Sequence, residues 1–147
     1  MHSPCNNLSM ILAARRTEIL FNEALAPVGL VAPQYSLLLI ICDIGPIEHA
    51  ALARIMVQSA RSLTAALRPL RKAGLIEPVD DGTGKGTMWR GTVAGRRVVK
   101  RAERHWKRAQ DAVEQRLGPQ RAATLRQTLA VIAGTDFSGA ADASHGR

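Results

Sequence analysis

At 147 residues, with 46% of its side chains apolar, the chain is long enough to bury a core as one domain. Its 20 Lys and Arg against 12 Asp and Glu leave a net charge of +8, a balance that favours polyanionic partners. Aromatic residues make up only 3%, which argues against a single strand held by stacked bases, whereas a duplex needs no such platform.

Apolar positions Leu8, Ile11, Leu12, Ile19 and Leu20 set a helical rhythm from Leu8 to about Ala26, closed by Pro27 and Gly29. Pro33 opens a second helix with Tyr35, Leu38 and Ile41 on one side, ending at Gly45-Pro46. A short third helix carries Ala51, Leu52 and Ile55. The fourth has two chemically opposite faces: Leu63, Leu67 and Leu70 form an inward stripe, while Arg61, Ala65, Arg68 and Lys72 recur on the other side. Leu75–Val79 and Met88–Val93 then flank the glycine-rich run Asp80–Thr87, the pattern of a two-stranded hairpin. After Gly95 a long helix repeats Val98, Ala102, Trp106, Ala109, Val113 and Leu117, and Gly118-Pro119 breaks it. A last helix places Ala122, Leu125, Leu129 and Ile132 inside, and from Gly134 the composition is that of a disordered tail.

The fourth helix carries the chemistry. A short cationic rod with hydroxyls at its start is what a DNA major groove accepts, because the groove admits a helix and displays base edges. Ser59 is read as its N-cap, a role compatible with phosphate contact. Arg61 and Thr64 are the expected base contacts; Arg68, Lys72 and Lys85 are the expected phosphate contacts. Ala60, Ser62 and Ala65 complete the surface against DNA, and Arg90 adds a cation on the second wing strand. Arg71 ranks lower, because Pro69 removes a helical hydrogen bond and is expected to bend the helix before it. The first and the last two helices have apolar stripes with no place on a small core, so they are expected to pair with a second copy. A two-fold dimer would set two reading helices one DNA turn apart.

In order and spacing, Glu23–Leu30, Pro33–Leu38, Ala51–Ala53, Ser62–Thr64, Leu67–Leu70, Ala73–Ile76, Thr92–Arg96 and Trp106–Gln110 resemble the MarR family of bacterial winged-helix regulators. The resemblance runs from Leu8 to Ile132. It implies a mainly α fold with a small β-hairpin wing, a winged helix-turn-helix flanked by N- and C-terminal dimerisation helices. Residues 1–133 would form a single domain, with a DNA-binding lobe over about 33–95, dimerisation helices over 8–26 and 96–133, and a tail over 134–147. The implied function is a homodimeric regulator on a pseudo-palindromic double-stranded operator, a repressor released by a small ligand or by cysteine oxidation. The sequence departs from the family at the wing tip, where Lys85 stands among Gly82, Gly84 and Gly86 in place of an Asp and several Arg. It departs again at Ala65, where the family often has Arg.

Arg15 lies between Ile11 and Ile19 on the apolar side of the first helix, where a cation needs a carboxylate or a bound anion. The resemblance implies a pocket between dimer helices and DNA-binding lobe, which Arg15, Tyr35, His105 and Trp106 would line for a small anionic or aromatic effector. The competing reading of Arg15 as an ion pair and Trp106 as core is retained. Cys42 reads as inert core, and Cys5, in a mobile N-terminal segment, as the candidate redox residue. His49 and His105 lack Cys or His neighbours at metal-ligand spacing, so no metal and no cofactor is expected. No nucleophile–base pair or paired carboxylate points to an enzyme, and Gly82–Gly86 lacks the helix a nucleotide cradle needs. The first residues lack the basic-then-apolar order of a secretion signal, and Leu37–Cys42 is too short to span a bilayer, so a cytoplasmic protein without membrane partners is expected. The rival class is a winged-helix module whose basic face binds an acidic protein.

Overall fold

The computed structural model describes residues 5–80, 82–84 and 86–138. The first helix, α1 (Asn6–Leu25), starts at Cys5, whose Sγ accepts the Leu8 N–H at 3.5 Å. Cys5 is therefore a helix cap, where the sequence placed it in a mobile segment. The turn Ala26–Val28 and Gly29, at φ 73°, end the helix. The next helix, α2 (Ala32–Ile44), has Pro33 in its first turn. Its free amide is answered from α1, where Asn22 Oδ1 accepts the Ala32 N–H at 2.7 Å, and Gln34 Oε1 accepts the Val31 N–H at 3.1 Å.

After Gly45 comes β1 (Ile47–Glu48), then α3 (His49–Ile55), α4 (Ala60–Lys72), β2 (Ile76–Val79) and β3 (Met88–Gly91). The chain closes with α5 (Val93–Leu117) and α6 (Pro119–Ala133). The expected two-stranded hairpin is a three-stranded antiparallel sheet of order β1-β3-β2. Ile47 faces Trp89 and Glu48 faces Met88 across β1 and β3. Two residues are too few for alternation to announce a strand, which is why β1 was not foreseen.

Contacts among the described residues cluster into two units divided at Ala112/Val113, where the sequence suggested one domain to residue 133. In the first unit the core joins Leu25, Tyr35, Leu38 and Ile41 to Leu52, Leu63, Leu67, Leu70, Ile76 and Trp89. Two glycines let the elements approach. A Cβ on Gly91 would stand 2.5 Å from Cys42 Sγ and 3.3 Å from its Cα, and one on Gly95 would run into the Leu75 carbonyl. Thr92 fastens the start of α5: its hydroxyl donates to the Gly74 carbonyl at 2.7 Å and accepts the Gly95 N–H at 3.0 Å. In the second unit Arg126 pairs with Glu114 at 2.7 Å and Ala122 is buried.

Several expected inward residues face out. Leu8, Ile11, Leu12 and Ile19 of α1 are between 39% and 54% exposed, and Leu125 and Leu129 of α6 are exposed as well. Among the described residues, each of these stripes lies open within its own unit. Ile55 is also exposed, and the inward residues of α3 are Leu52 and Ala53. Of the expected tail, residues 134–138 are described, with Thr135 Oγ1 donating to the Val131 carbonyl at 2.6 Å; residues 139–147 lie outside the described residues. No single described helix is long and apolar enough to cross a membrane, and only the bent pair Asn6–Val28 and Ala32–Ile44 reaches that composition together.

Candidate nucleic-acid interface

The approach to α4 is a tight helix stop. Gln58 N–H donates to the Ala53 carbonyl at 3.0 Å and Val57 N–H to the Arg54 carbonyl at 3.1 Å, the paired bonds that close a helix through a left-handed residue. That residue is Val57, at φ 51°, the one non-glycine with positive φ among the described residues. Ser59 then caps α4 as expected, its Oγ accepting the Ser62 N–H at 3.1 Å and donating to Ser62 Oγ at 2.9 Å.

Leu63, Leu67 and Leu70 are 0–1% exposed and hold one side of α4 in the core. Geometry therefore turns Ala60, Arg61, Ser62, Thr64, Ala65, Arg68, Arg71 and Lys72 outward, and all are exposed. The helix runs through Pro69 to Lys72 without ending, so the expected loss of Arg71 from the face does not occur. Thr64 uses its hydroxyl proton on the Ala60 carbonyl at 2.9 Å, which leaves an acceptor lone pair and a methyl to present outward.

Arg68 and Arg71 border a cavity of about 510 Å³ between α4 and the wing, with His49, Thr64, Leu67, Pro78, Thr87 and Trp89 as its other walls. Inside it three elements meet at His49. The Trp89 indole N–H donates to Nδ1 at 3.0 Å, Nε2 lies 3.0 Å from the Ala60 carbonyl, and the His49 N–H donates to the Thr87 carbonyl at 2.9 Å. Thr64 Oγ1 stands at 3.5 Å from Nε2, the outer edge of hydrogen bonding. Sequence reading weighed His49 only as a metal ligand; nothing in the spacing of residues 49, 60 and 89 signals their junction.

On the wing, Arg90 faces Glu77 across β2 and β3 and pairs with it, Nη2 to Oε1 at 2.6 Å and Nε to Oε1 at 3.0 Å. The guanidinium expected to serve DNA is thus already engaged. Lys85, the expected wing-tip contact, lies outside the described residues. A further set of cations escaped the sequence reading: Arg97, Lys100, Arg101 and Arg104 share one exposed face of α5 and border a depression of about 510 Å³. Their spacing of three and four residues is legible in the chain, interleaved with the apolar repeat Val98, Ala102 and Trp106.

Of the four expected pocket residues, Tyr35 and Trp106 come together. They line a cavity of about 400 Å³ among α1, α2 and α5, with Phe21, Glu18, Thr17, Ser36 and Gln110. The Trp106 ring centre is 6.1 Å from Phe21 and 6.5 Å from Tyr35, both tilted. Burial pushes the Tyr35 phenol above its ordinary pKa, and the Glu103 carboxylate adds to the rise. Arg15 and His105 are not among the lining residues. Arg15 is exposed, because the α1 stripe around it is itself uncovered within the chain, so it needs no buried partner here. His105 is half-buried with Arg104 Nε 3.3 Å from its Nε2. Cys5 is an exposed free thiol, while burial raises the pKa of Cys42, partly opposed by Arg96. No group of three or more candidate metal ligands occurs among the described residues.

A cationic helix delivered by a helix–turn–helix and flanked by an antiparallel wing defines the winged-helix class. Among solved structures the chain is similar to the transcriptional repressor CouR bound to p-coumaroyl-CoA, with a TM-score of 0.81 at 23% identity over 90% of this chain and 94% of that one. It is also similar to a mutant MarR from E. coli complexed with operator DNA, with a TM-score of 0.78 at 20% identity over 86% and 91%. A MarR-family transcriptional regulator from Rhodococcus sp. RHA1 gives 0.79 at 20% over 92% and 100%. The fold is thus that of the MarR-type winged helix. No protein-family model matches the chain, and no curated protein does.

Proposed function

We propose that the chain is a homodimeric regulator of transcription of the MarR type that reads a pseudo-palindromic duplex operator in the bacterial cytoplasm. The observation that carries this reading is α4: three leucines hold it in the core while its opposite side offers Arg61, Thr64, Arg68, Arg71 and Lys72 to solvent. The likeness to a MarR complexed with operator DNA supports it. The uncovered leucines and isoleucines of α1, and separately Leu125, Leu129 and Val131 of α6, supply apolar faces for a second copy. Arg61 reads a base, Thr64 accepts from a base amino group or packs on a thymine methyl, and Arg68, Arg71 and Lys72 take phosphates.

The action is repression, relieved when an effector enters the cavity lined by Phe21, Tyr35 and Trp106. Its walls carry three aromatic rings and the Glu18 carboxylate, and no cation among the described residues. This favours an aromatic effector over a purely anionic one. CouR, bound to an aromatic acyl-CoA, offers a parallel. Release requires that the effector bind the non-reading arrangement more tightly than the reading one. The exposed Cys5 thiol is a second candidate trigger, through oxidation.

Selection of bound duplexes from sheared genomic fragments at physiological salt tests the reading. Recovery of one sequence class is expected. Arg61→Ala should then lose about 1–3 kcal/mol on that sequence and little on unrelated DNA. A wild type that shows no preference among duplexes refutes operator reading and favours an interaction module with a basic face.

A further inference from the structure

We propose that His49 is a positioning residue for the DNA-reading helix, a neutral imidazole strut that holds the first turn of α4 against the wing and makes duplex selectivity fall in acid. The proposal rests on the DNA-reading function above and names a control built into that same surface.

The protonation state follows from the partners. An indole N–H is only ever a donor, so the Trp89 bond to Nδ1 at 3.0 Å requires a lone pair there. The ring proton then sits on Nε2, which donates to the Ala60 carbonyl at 3.0 Å. One neutral ring thus links β3 to the residue that opens α4, and the backbone bond from His49 to Thr87 ties the same point to the end of the wing loop. An imidazolium carries protons on both nitrogens. Its Nδ1–H would confront the Trp89 N–H, two donors with no acceptor between them, and the bond from strand to ring is lost.

The surroundings give the cation nothing in exchange. From α4 the cavity presents Arg68, Arg71 and the Thr64 hydroxyl, from β2 Pro78, and from the wing loop Thr87; its lining includes no carboxylate among the described residues. On the ring's own side Glu48 precedes it on β1 and Arg54 is the basic residue of α3. Acid supplies the second ring proton, so acid is what opens the strut. When the Trp89 bond goes, the α4 start with Ser59, Ala60 and Arg61 keeps only the ring's bond to Ala60 and the backbone tie from His49 to Thr87, and its register against the wing loosens.

The affinity for a selected duplex divided by that for an unrelated duplex of equal length separates register from charge, because an added positive charge raises both terms. The selected duplex is one recovered from a random-sequence pool by the wild type at about pH 8. In the wild type, the ratio should fall as pH is lowered from about 8 at fixed ionic strength, toward a limit of about fivefold, the effect of one hydrogen bond. His49→Gln, which can accept at one atom and donate at the other without titrating, should give a ratio independent of pH. Trp89→Phe removes the donor that protonation offends and should also flatten the profile. In the free protein, the Trp89 indole proton resonance should move with pH in the wild type and stay still in His49→Gln. A pH-independent ratio in the wild type, the same fall retained in His49→Gln, or a Trp89 resonance indifferent to pH overturns the proposal. A wild type that selects no duplex at about pH 8 instead refutes the DNA-reading function, and the strut's role falls with it.

Discussion

Val57 holds φ at 51° in the turn between α3 and α4, a left-handed conformation that costs an L residue about 1–2 kcal/mol and a β-branched one no less. Glycine at that position carries no such cost, but its greater freedom in the unfolded chain returns about 0.5–1 kcal/mol. The Val57 side chain is 73% exposed, so little apolar burial is forfeited by removing it. Val57→Gly is therefore expected to stabilise the protein by about 0.5–1 kcal/mol, equivalent to roughly 1–4 °C in Tm for a chain of this size. Val57→Asn should do at least as well, because asparagine tolerates the conformation without the glycine entropy, whereas Val57→Ala should change little. Urea unfolding followed by circular dichroism, at one protein concentration because an associating chain gains stability by mass action, measures all three. A Val57→Gly protein no more stable than the wild type, with Val57→Asn equally unchanged, would mean that the turn stores no strain.

Glu77→Gln releases Arg90 from its partner. The pair is about half exposed, with side chains 50% and 45% accessible, so stability should change by less than about 1 kcal/mol, while the salt slope of duplex binding steepens by about one if the freed guanidinium takes a phosphate. Gly91→Ala drives a methyl into Cys42 and should cost about 1–3 kcal/mol in the same urea assay; a neutral result would show that α2 can retreat from β3 freely. The raised Tyr35 pKa means that the fold prefers the neutral phenol, so its contribution is complete below the ordinary value of 10.0 and fades as pH climbs through the raised one. Tyr35→Phe should accordingly lose less of its urea midpoint than the wild type between about pH 8 and pH 11, and equal losses would remove Tyr35 from the alkaline transition.

Much of the helical order was legible because it depends on spacing. Leu63, Leu67 and Leu70 announced the buried side of α4, and with it the outward direction of Arg61 and Arg68. Ser59 was recognisable as a cap for the same local reason. What escaped the sequence depends on pairs far apart in the chain. The contact of Glu77 with Arg90 follows from the register of β2 against β3, and that of His49 with Trp89 from a strand two residues long. Spacing shows apolar stripes on α1 and α6, but periodicity cannot say whether a stripe is covered by its own chain. Arg15 illustrates the hazard: its spacing puts it on an apolar face, and the face is open.

Pro69 sits inside α4 without interrupting it, and it has no amide hydrogen to return to the residue one turn earlier. The carbonyl of Ala65, at the centre of the outward surface, is left one intrahelical partner short. An acceptor supplied by the main chain in this way survives any exchange of the side chain at 65, so what a small alanine lacks in reach the peptide group can furnish to water or to an approaching amino group. Any non-proline residue at 69, alanine for instance, would restore the amide hydrogen and withdraw it.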